Sequence, residues 1–257
     1  MKRTGKRLVM LMTVLFLLIM GSGATIVWGS VTVPTKGTQY EYNFSTKKWV
    51  KTKNSFTATF TSNGKLKKKT FKYGSDKNTY TYTWKGDYLK KIKYSYPGSK
   101  PITYTYTYKN GKLTKVKSSR STTTYKWKGN KAKATTKNDG GSYQYTITKK
   151  NGRWSTQTGS NSSYKVTYSY YKKGLKKSYT DVSGSYKYKV TYGRNGFPKK
   201  ISEGSWSVSY KWTKKSVTIT TKDNGKVTGK VKWKFSKTKR VSRAWNCDAF
   251  GIDAPLF

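Results

Sequence analysis

The side chains of this sequence able to do chemistry are lysines and aromatic rings. There is no histidine in 257 residues. That removes Ser-His-Asp and Cys-His nucleophilic catalysis and the usual zinc sites together. Cys247 is the single cysteine, so no internal disulfide forms, and the thiol is left to pair between chains at most. The nine acids are Glu41, Asp76, Asp87, Asp139, Asp181, Glu203, Asp223, Asp248 and Asp253. Most stand singly in turn contexts, where Asp satisfies backbone groups. Glycoside hydrolysis needs two carboxylates across one bond, and only Asp248 and Asp253 lie close in sequence. The expectation is a protein that is not an enzyme and has no metal site and no cofactor.

Lysine and the rings dominate instead. The chain carries 55 Lys+Arg against 9 Asp+Glu, a formal net charge of +46. Four of those cations, Lys2, Arg3, Lys6 and Arg7, precede an uncharged apolar run from Leu8 to Met20 and the small residues Gly21 to Ala24. This is the plan of a secretory signal peptide. The alternative is that residues 1–30 stay as an N-terminal membrane anchor, since about 20 apolar residues span a bilayer. In either case the body faces outward. Without the leader the remaining body carries +42. Charge on that scale attracts polyanions, and its supply by lysine suits point-charge attraction more than bidentate reading of phosphates.

A highly charged chain invites a disordered reading, but every tyrosine lies after residue 30, at strand spacing. Turn glycines recur at Gly64, Gly86, Gly111, Gly129, Gly152, Gly174 and Gly196, spaced by 22, 25, 18, 23, 22 and 22 residues. More polar connections such as Gly74-Ser75-Asp76 and Pro97-Gly98-Ser99 fall between them. Each period is therefore two strands of about eight residues, roughly 26 Å long. Asn63-Gly64, Asn110-Gly111, Asn151-Gly152, Asn195-Gly196 and Asn224-Gly225 supply the positive φ that a two-residue hairpin turn requires. Tyr, Thr, Val and Trp dominate between the turns, as strands prefer.

The spacing predicts an all-β chain: an antiparallel meander of about 16–18 strands, forming one continuous curled sheet with the aromatic face partly enclosed. A flat single layer is the alternative. The repeat domain covers 31–241, with residues 31–54 as the entering strands, and 242–257 form a cap or a loose tail. Pairing outward from Asn110-Gly111 sets Tyr108 opposite Leu113, Tyr106 opposite Lys115 and Tyr104 opposite Lys117. Thr107 then faces Thr114 and Thr105 faces Val116. On that register one face mixes rings with lysine stems and the other is threonine.

YTYTYKNGKLTKV (Tyr104 to Val116) and YTWKGDYLKKI (Tyr82 to Ile92) resemble the YD repeat of bacterial wall-associated and Rhs-type proteins. That pattern is Tyr-x-Tyr-Asp, a turn Gly, a Leu, and an apolar residue three further on. Leu113 with Val116 and Leu89 with Ile92 match it, while Thr107 and Thr83 stand near the place of the hallmark Asp. The resemblance implies a β-sheet protein of the cell surface or wall.

Two features are candidates for binding. Lysine clusters such as Lys67, Lys68 and Lys69, with Lys115 on a strand, attract anionic polymers: teichoic acid, acidic polysaccharide or glycosaminoglycan. The same lysines also protect strand edges. The rings Tyr82, Trp84, Tyr104, Tyr106, Tyr108, Trp127, Tyr188 and Trp212 either stack on a glycan or stack on one another. Nucleic acid is disfavoured, because every basic-aromatic pattern here also serves the β-ladder, and membrane contact is expected only through an uncleaved leader. Three expectations follow for an extracellular, surface-associated protein. It adheres to anionic envelope polymer, or it is an aromatic-platform glycan module, or it is a structural repeat subunit without a soluble ligand.

Overall fold

The computed structural model describes residues 30–242, apart from 87, 151–152, 161–163, 171–175 and 195. The strands are β1 (Ser30–Asn43), β2 (Lys48–Phe60), β3 (Leu66–Tyr73), β4 (Asp76–Lys85), β5 (Tyr88–Ser95), β6 (Ile102–Lys109), β7 (Lys112–Lys117), β8 (Ser121–Lys128) and β9 (Lys131–Asn138). They continue as β10 (Gly141–Lys150), β11 (Arg153–Gly159), β12 (Tyr164–Tyr170), β13 (Lys176–Ser183), β14 (Tyr186–Tyr192), β15 (Pro198–Glu203), β16 (Trp206–Trp212), β17 (Ser216–Asp223) and β18 (Lys226–Ser242). Every strand pairs antiparallel with its sequence neighbours, so the meander is as expected. The leader, the C-terminal segment with Cys247, Asn151-Gly152 and Gly174 lie outside the described residues.

The curled open sheet is corrected to a closed barrel. β1 pairs with β2 on one side and with β18 on the other, from Ser30↔Ser242 to Glu41↔Val231. A continuous ladder of 18 strands therefore returns to its start. Closure abolishes the unpaired backbone edge that an open sheet of this length presents.

Asn110 (φ 49°) with Gly111 (φ 72°), and Asn224 (φ 48°) with Gly225 (φ 77°), form the expected two-residue turns. Asn63-Gly64 does not. Thr61 N–H donates to Lys65 O at 2.8 Å and Gly64 N–H to Thr61 O at 3.1 Å, a longer loop in which only Gly64 takes positive φ. The same pair of bonds joins Gly193 to Phe197 (2.8 Å) and Gly196 to Gly193 (2.9 Å), which corrects the two-residue turn expected there.

The register expected from Asn110-Gly111 holds at Tyr108↔Leu113 and then shifts. Thr114 is an extra residue in a β-bulge, so Tyr106 lies opposite Val116, Thr107 opposite Lys115 and Thr105 opposite Lys117. A bulge turns every later side chain to the other face. Tyrosine thereby meets Leu and Val inside, and threonine meets lysine outside. The mixed ring-and-lysine face is corrected accordingly. Bulges at the same place in the repeat leave out Lys67 in β3, Lys90 in β5, Ser155 in β11, Lys177 in β13 and Lys199 in β15.

The interior is packed. Trp233, Tyr106, Leu66, Ile147, Ile201, Val33, Val166 and Val217, drawn from strands all round the barrel, are essentially inaccessible. Tyr125 of β8 meets Trp154 of β11 (6.4 Å between ring centroids), which continues to Tyr168 (6.5 Å), Tyr179 (5.6 Å) and Tyr188 (6.1 Å). Such ring pairs contribute ~0.5–1.5 kcal/mol beyond their burial. Small residues make room for the large ones, as Ala132 lies opposite Trp127 and Ala134 opposite Tyr125. At the closing seam Gly37 is required: a Cβ there would stand 2.5 Å from the Phe56 ring and 2.9 Å from Lys234 O.

Candidate polyanion-binding surface

Because the bulges sort the faces, the outer wall is a lattice of lysine and threonine. One row runs Thr83↔Lys91↔Thr105↔Lys117↔Thr122↔Lys137 across β4 to β9. A second runs Thr59↔Lys68↔Thr81↔Lys93↔Thr103 across β2 to β6. The lysines of both rows are exposed. Alternation puts a threonine between neighbouring ammonium groups, so the lysines of a row stand two strands apart, about 9.6 Å. Like charges directly opposite would destabilise the ladder.

The candidate residues divide between the two sides. Lys67, Lys68 and Lys115 are exposed on the outer wall. Lys69 is not: it is 2 % exposed and turned inward, its ammonium 4.7 Å from the centre of the Tyr80 ring. Tyr106 and Tyr188 are buried, at 2 % and 4 % exposure, and Tyr82, Trp84, Tyr104, Tyr108, Trp127 and Trp212 are half-buried on the same inner side. The expectation of a surface platform made of these rings is thus corrected, because the face that carries them closes on itself.

Several of these rings hold the fold instead. Trp84 Nε1 donates to Leu66 O (2.8 Å), Trp127 to Leu113 O (2.6 Å) and Trp212 to Pro198 O (2.8 Å), while the Tyr170 hydroxyl donates to Trp154 O (2.7 Å). Each acceptor immediately precedes the extra residue of a bulge, so the aromatic donor satisfies a carbonyl beside an interrupted ladder. The rings are also capped. The ammonium groups of Lys65 and Lys112 each lie 5.9 Å from the centres of Trp84 and Trp127, and Phe197 stacks on Trp212 at 4.5 Å. Lys149 sits 4.8 Å over Trp127, and burial, with Lys112 nearby, holds its pKa below the ordinary lysine value.

A second outer feature was not singled out from sequence. Tyr40 and Tyr42 of β1 and Trp49 of β2 lie on the outer register, opposite to the inward Gln39 and Trp233. Lys234 sits 4.5 Å over Tyr40, Lys230 5.0 Å over Tyr42 and Lys232 4.4 Å over Trp49. Tyr42 also meets Trp49 (5.3 Å) and Phe44 (5.2 Å) edge-on. The signal is present in Lys230-Val231-Lys232-Trp233-Lys234-Phe235, a strict two-residue alternation. Its partner strand becomes visible only once β1 and β18 close the barrel.

Inside, Asp181 is 7 % exposed and accepts from the Tyr179 hydroxyl at 3.1 Å. Burial raises its pKa above the usual carboxylate value, against the lowering effect of that bond. Among the described residues no three His, Cys, Asp or Glu side chains come together to hold a metal.

No protein-family model and no curated protein matches this chain. Among solved structures, a porin-like protein from Bacteroides uniformis is similar over 80 % of this chain and 96 % of that one, with 12 % identity and a TM-score of 0.32. The barrel rests on the strand pairings themselves.

Proposed function

We propose that this chain is an exported, non-enzymatic adhesion protein whose outer wall holds anionic envelope or extracellular polymer. The observation that carries this reading is the row Lys91–Lys117–Lys137, with threonine between each pair of lysines. The Debye length at physiological salt is about 8 Å. Ammonium groups about 9.6 Å apart therefore repel each other weakly, while a polymer laid across them touches many at once. The leader-like N-terminus and the likeness to wall-associated repeats support an extracellular setting.

Physical arguments separate this reading from its rivals. A bilayer-spanning barrel turns an apolar belt to the lipid, and lysine at the midplane costs about 2–4 kcal/mol. Here the outer rows are lysine and threonine, which suits water and polyanions. Assembly through strand edges has no template in a closed ladder.

The test is binding to poly(glycerol phosphate) and to heparin across a sodium chloride series. The logarithm of affinity should fall linearly with the logarithm of salt concentration. A triple K91Q/K117Q/K137Q variant should lower the slope by roughly 2, at about 0.7 per neutralised charge. Binding unmoved by salt, or competed by neutral sugar alone, would overturn the proposal.

A further inference from the structure

We infer that Lys230, Lys232 and Lys234, held over the rings of Tyr42, Trp49 and Tyr40, form the primary contact strip for a linear polyanion. This rests on the reading of the outer wall as a polyanion surface and assigns it one preferred place. The lysines occupy every second residue of β18, so their Cα atoms recur at about 6.7 Å along one strand. The aromatic partners come from the two strands beyond the closing seam. The site therefore exists only in the closed barrel, because neither β18 nor β1 and β2 carry it alone.

The rings give this strip a property that the lattice on β4 to β9 lacks. A solvent-borne lysine gives up rotamer freedom when an anion immobilises it, and that loss is subtracted from its affinity. Here each ammonium already sits 4.4 to 5.0 Å over a ring centre. Cation–π attraction has ordered it before any ligand arrives. The ring faces are occupied by ammonium groups, so a base or a sugar would have to displace a lysine in order to stack. An anion docks on the outer side of the ammonium without displacing anything. Lys51, exposed and opposite Tyr40, extends the positive field. Glu41 lies on the other register, its Oε1 accepting from Gln39 Nε2 at 2.8 Å, and does not face the strip. The fitting partner is an extended polymer bearing one phosphate or one carboxylate per repeat unit, laid along β18.

Full-length protein is titrated with poly(glycerol phosphate) and with polygalacturonate, which separate the phosphate and carboxylate sources, and with monomeric glycerol phosphate. Two triple variants remove equal charge: K230Q/K232Q/K234Q from the strip and K91Q/K117Q/K137Q from the lattice. The strip variant should lose about tenfold more affinity than the lattice variant, and the monomer should bind neither measurably. The ring variant Y42L/W49L keeps the net charge and should still weaken polymer binding severalfold. Circular dichroism establishes that each variant is folded, and the lysine comparison decides alone if the ring variant is not.

Equal losses from the two triples would overturn the inference and leave salt-dependent adhesion standing, while a tenfold preference for neutral saccharide over polyanion would overturn both readings. Wild-type protein that binds neither polymer overturns both readings.

Discussion

The indole of Trp127 donates its Nε1–H to the carbonyl of Leu113 at 2.6 Å, one strand away. Leu113 is the last residue in register before Thr114 is left over, so this bond caps the break in the ladder. Trp84, Tyr170 and Trp212 repeat the arrangement, the four donors being spaced 43, 43 and 42 residues apart. The structural unit is thus four strands, two of the shorter hairpin periods. Trp127→Phe keeps a ring and removes the donor, and leaving a half-buried carbonyl unsatisfied costs about 1–3 kcal/mol. Trp154 supplies the contrast, since it is buried and its own Nε1 makes no hydrogen bond. In denaturant unfolding, Trp127→Phe should lower the midpoint clearly and Trp154→Phe much less. Equal effects would show that ring size matters and the bond does not.

Gly37 faces inward where β1 is flanked by β2 and β18, with Phe56 and Phe235 opposite it. Phe56 reaches past it to Trp233, 5.4 Å away between centroids. Gly37→Ala should destabilise by about 1–3 kcal/mol through overpacking, because one of the two close contacts is backbone and cannot move aside. Thr38→Ala, one residue on, should stay near wild type. Thermal unfolding of the two variants checks this.

The number of strands and the all-β meander were legible because Asn-Gly turns and Tyr-x-Tyr alternation are local signals. Two things were not. Closure depends on β1 meeting β18 across the whole chain, and no local pattern announces it. The faces depend on a single extra residue in each bulged hairpin, such as β4–β5 and β6–β7. That residue was written in the sequence as the three-residue step from Leu113 to Val116 and from Leu89 to Ile92. A strand without a bulge repeats on one face at even intervals, so an odd step between two inward residues already implies one. The lysine lattice followed from composition, but its alternation with threonine needed the bulge, and the ring-capped strip needed the closure.

Deleting Thr114 tests that argument. Without the extra residue Leu113, Lys115 and Val116 would alternate with no bulge, keeping Lys115 outside opposite Thr107 and Val116 inside opposite Tyr106. The deletion should therefore keep cooperative folding, measured by circular dichroism and denaturant titration, and its loss would mean that Thr114 is not the surplus residue of the ladder. Thr114→Ala, which keeps the count and loses one exposed bond to Thr107 O (3.1 Å), should cost little.

Asp181 gives a prediction at the acidic end. Its folded pKa is raised, chiefly by burial, above the unfolded value of about 3.9. The folded state therefore holds the proton more tightly. The stabilisation linked to that proton is complete below the unfolded pKa and is lost as pH rises through the folded pKa. Asp181→Asn removes the charge that burial penalises. The variant should be more stable than wild type at neutral pH, and the difference should shrink as pH falls through this window. A constant difference across the acidic range would mean that Asp181 does not titrate in the fold as its burial implies.

The tyrosines give the alkaline counterpart. Burial pushes the Tyr108 hydroxyl up to about 12, and holds those of Tyr106 and Tyr125 well above the ordinary value. A tyrosine in the unfolded chain ionises near 10. Between these values the folded barrel keeps protons that the unfolded chain releases, so stability falls as pH rises above about 10. Buried rings should become tyrosinate only as the barrel opens. Tyrosinate absorbance and loss of β-sheet signal should therefore share one cooperative, time-dependent transition. Tyr106→Phe sharpens the test, because its hydroxyl is buried without a hydrogen-bond partner. Removing an unsatisfied polar group should leave neutral-pH stability unchanged or raise it by about 1 kcal/mol. It should also move the alkaline transition to higher pH, since one of the protons driving it is gone. A fast, non-cooperative titration of most tyrosines, with the sheet signal intact, would mean that the rings face water and that the sorting of faces described above is wrong.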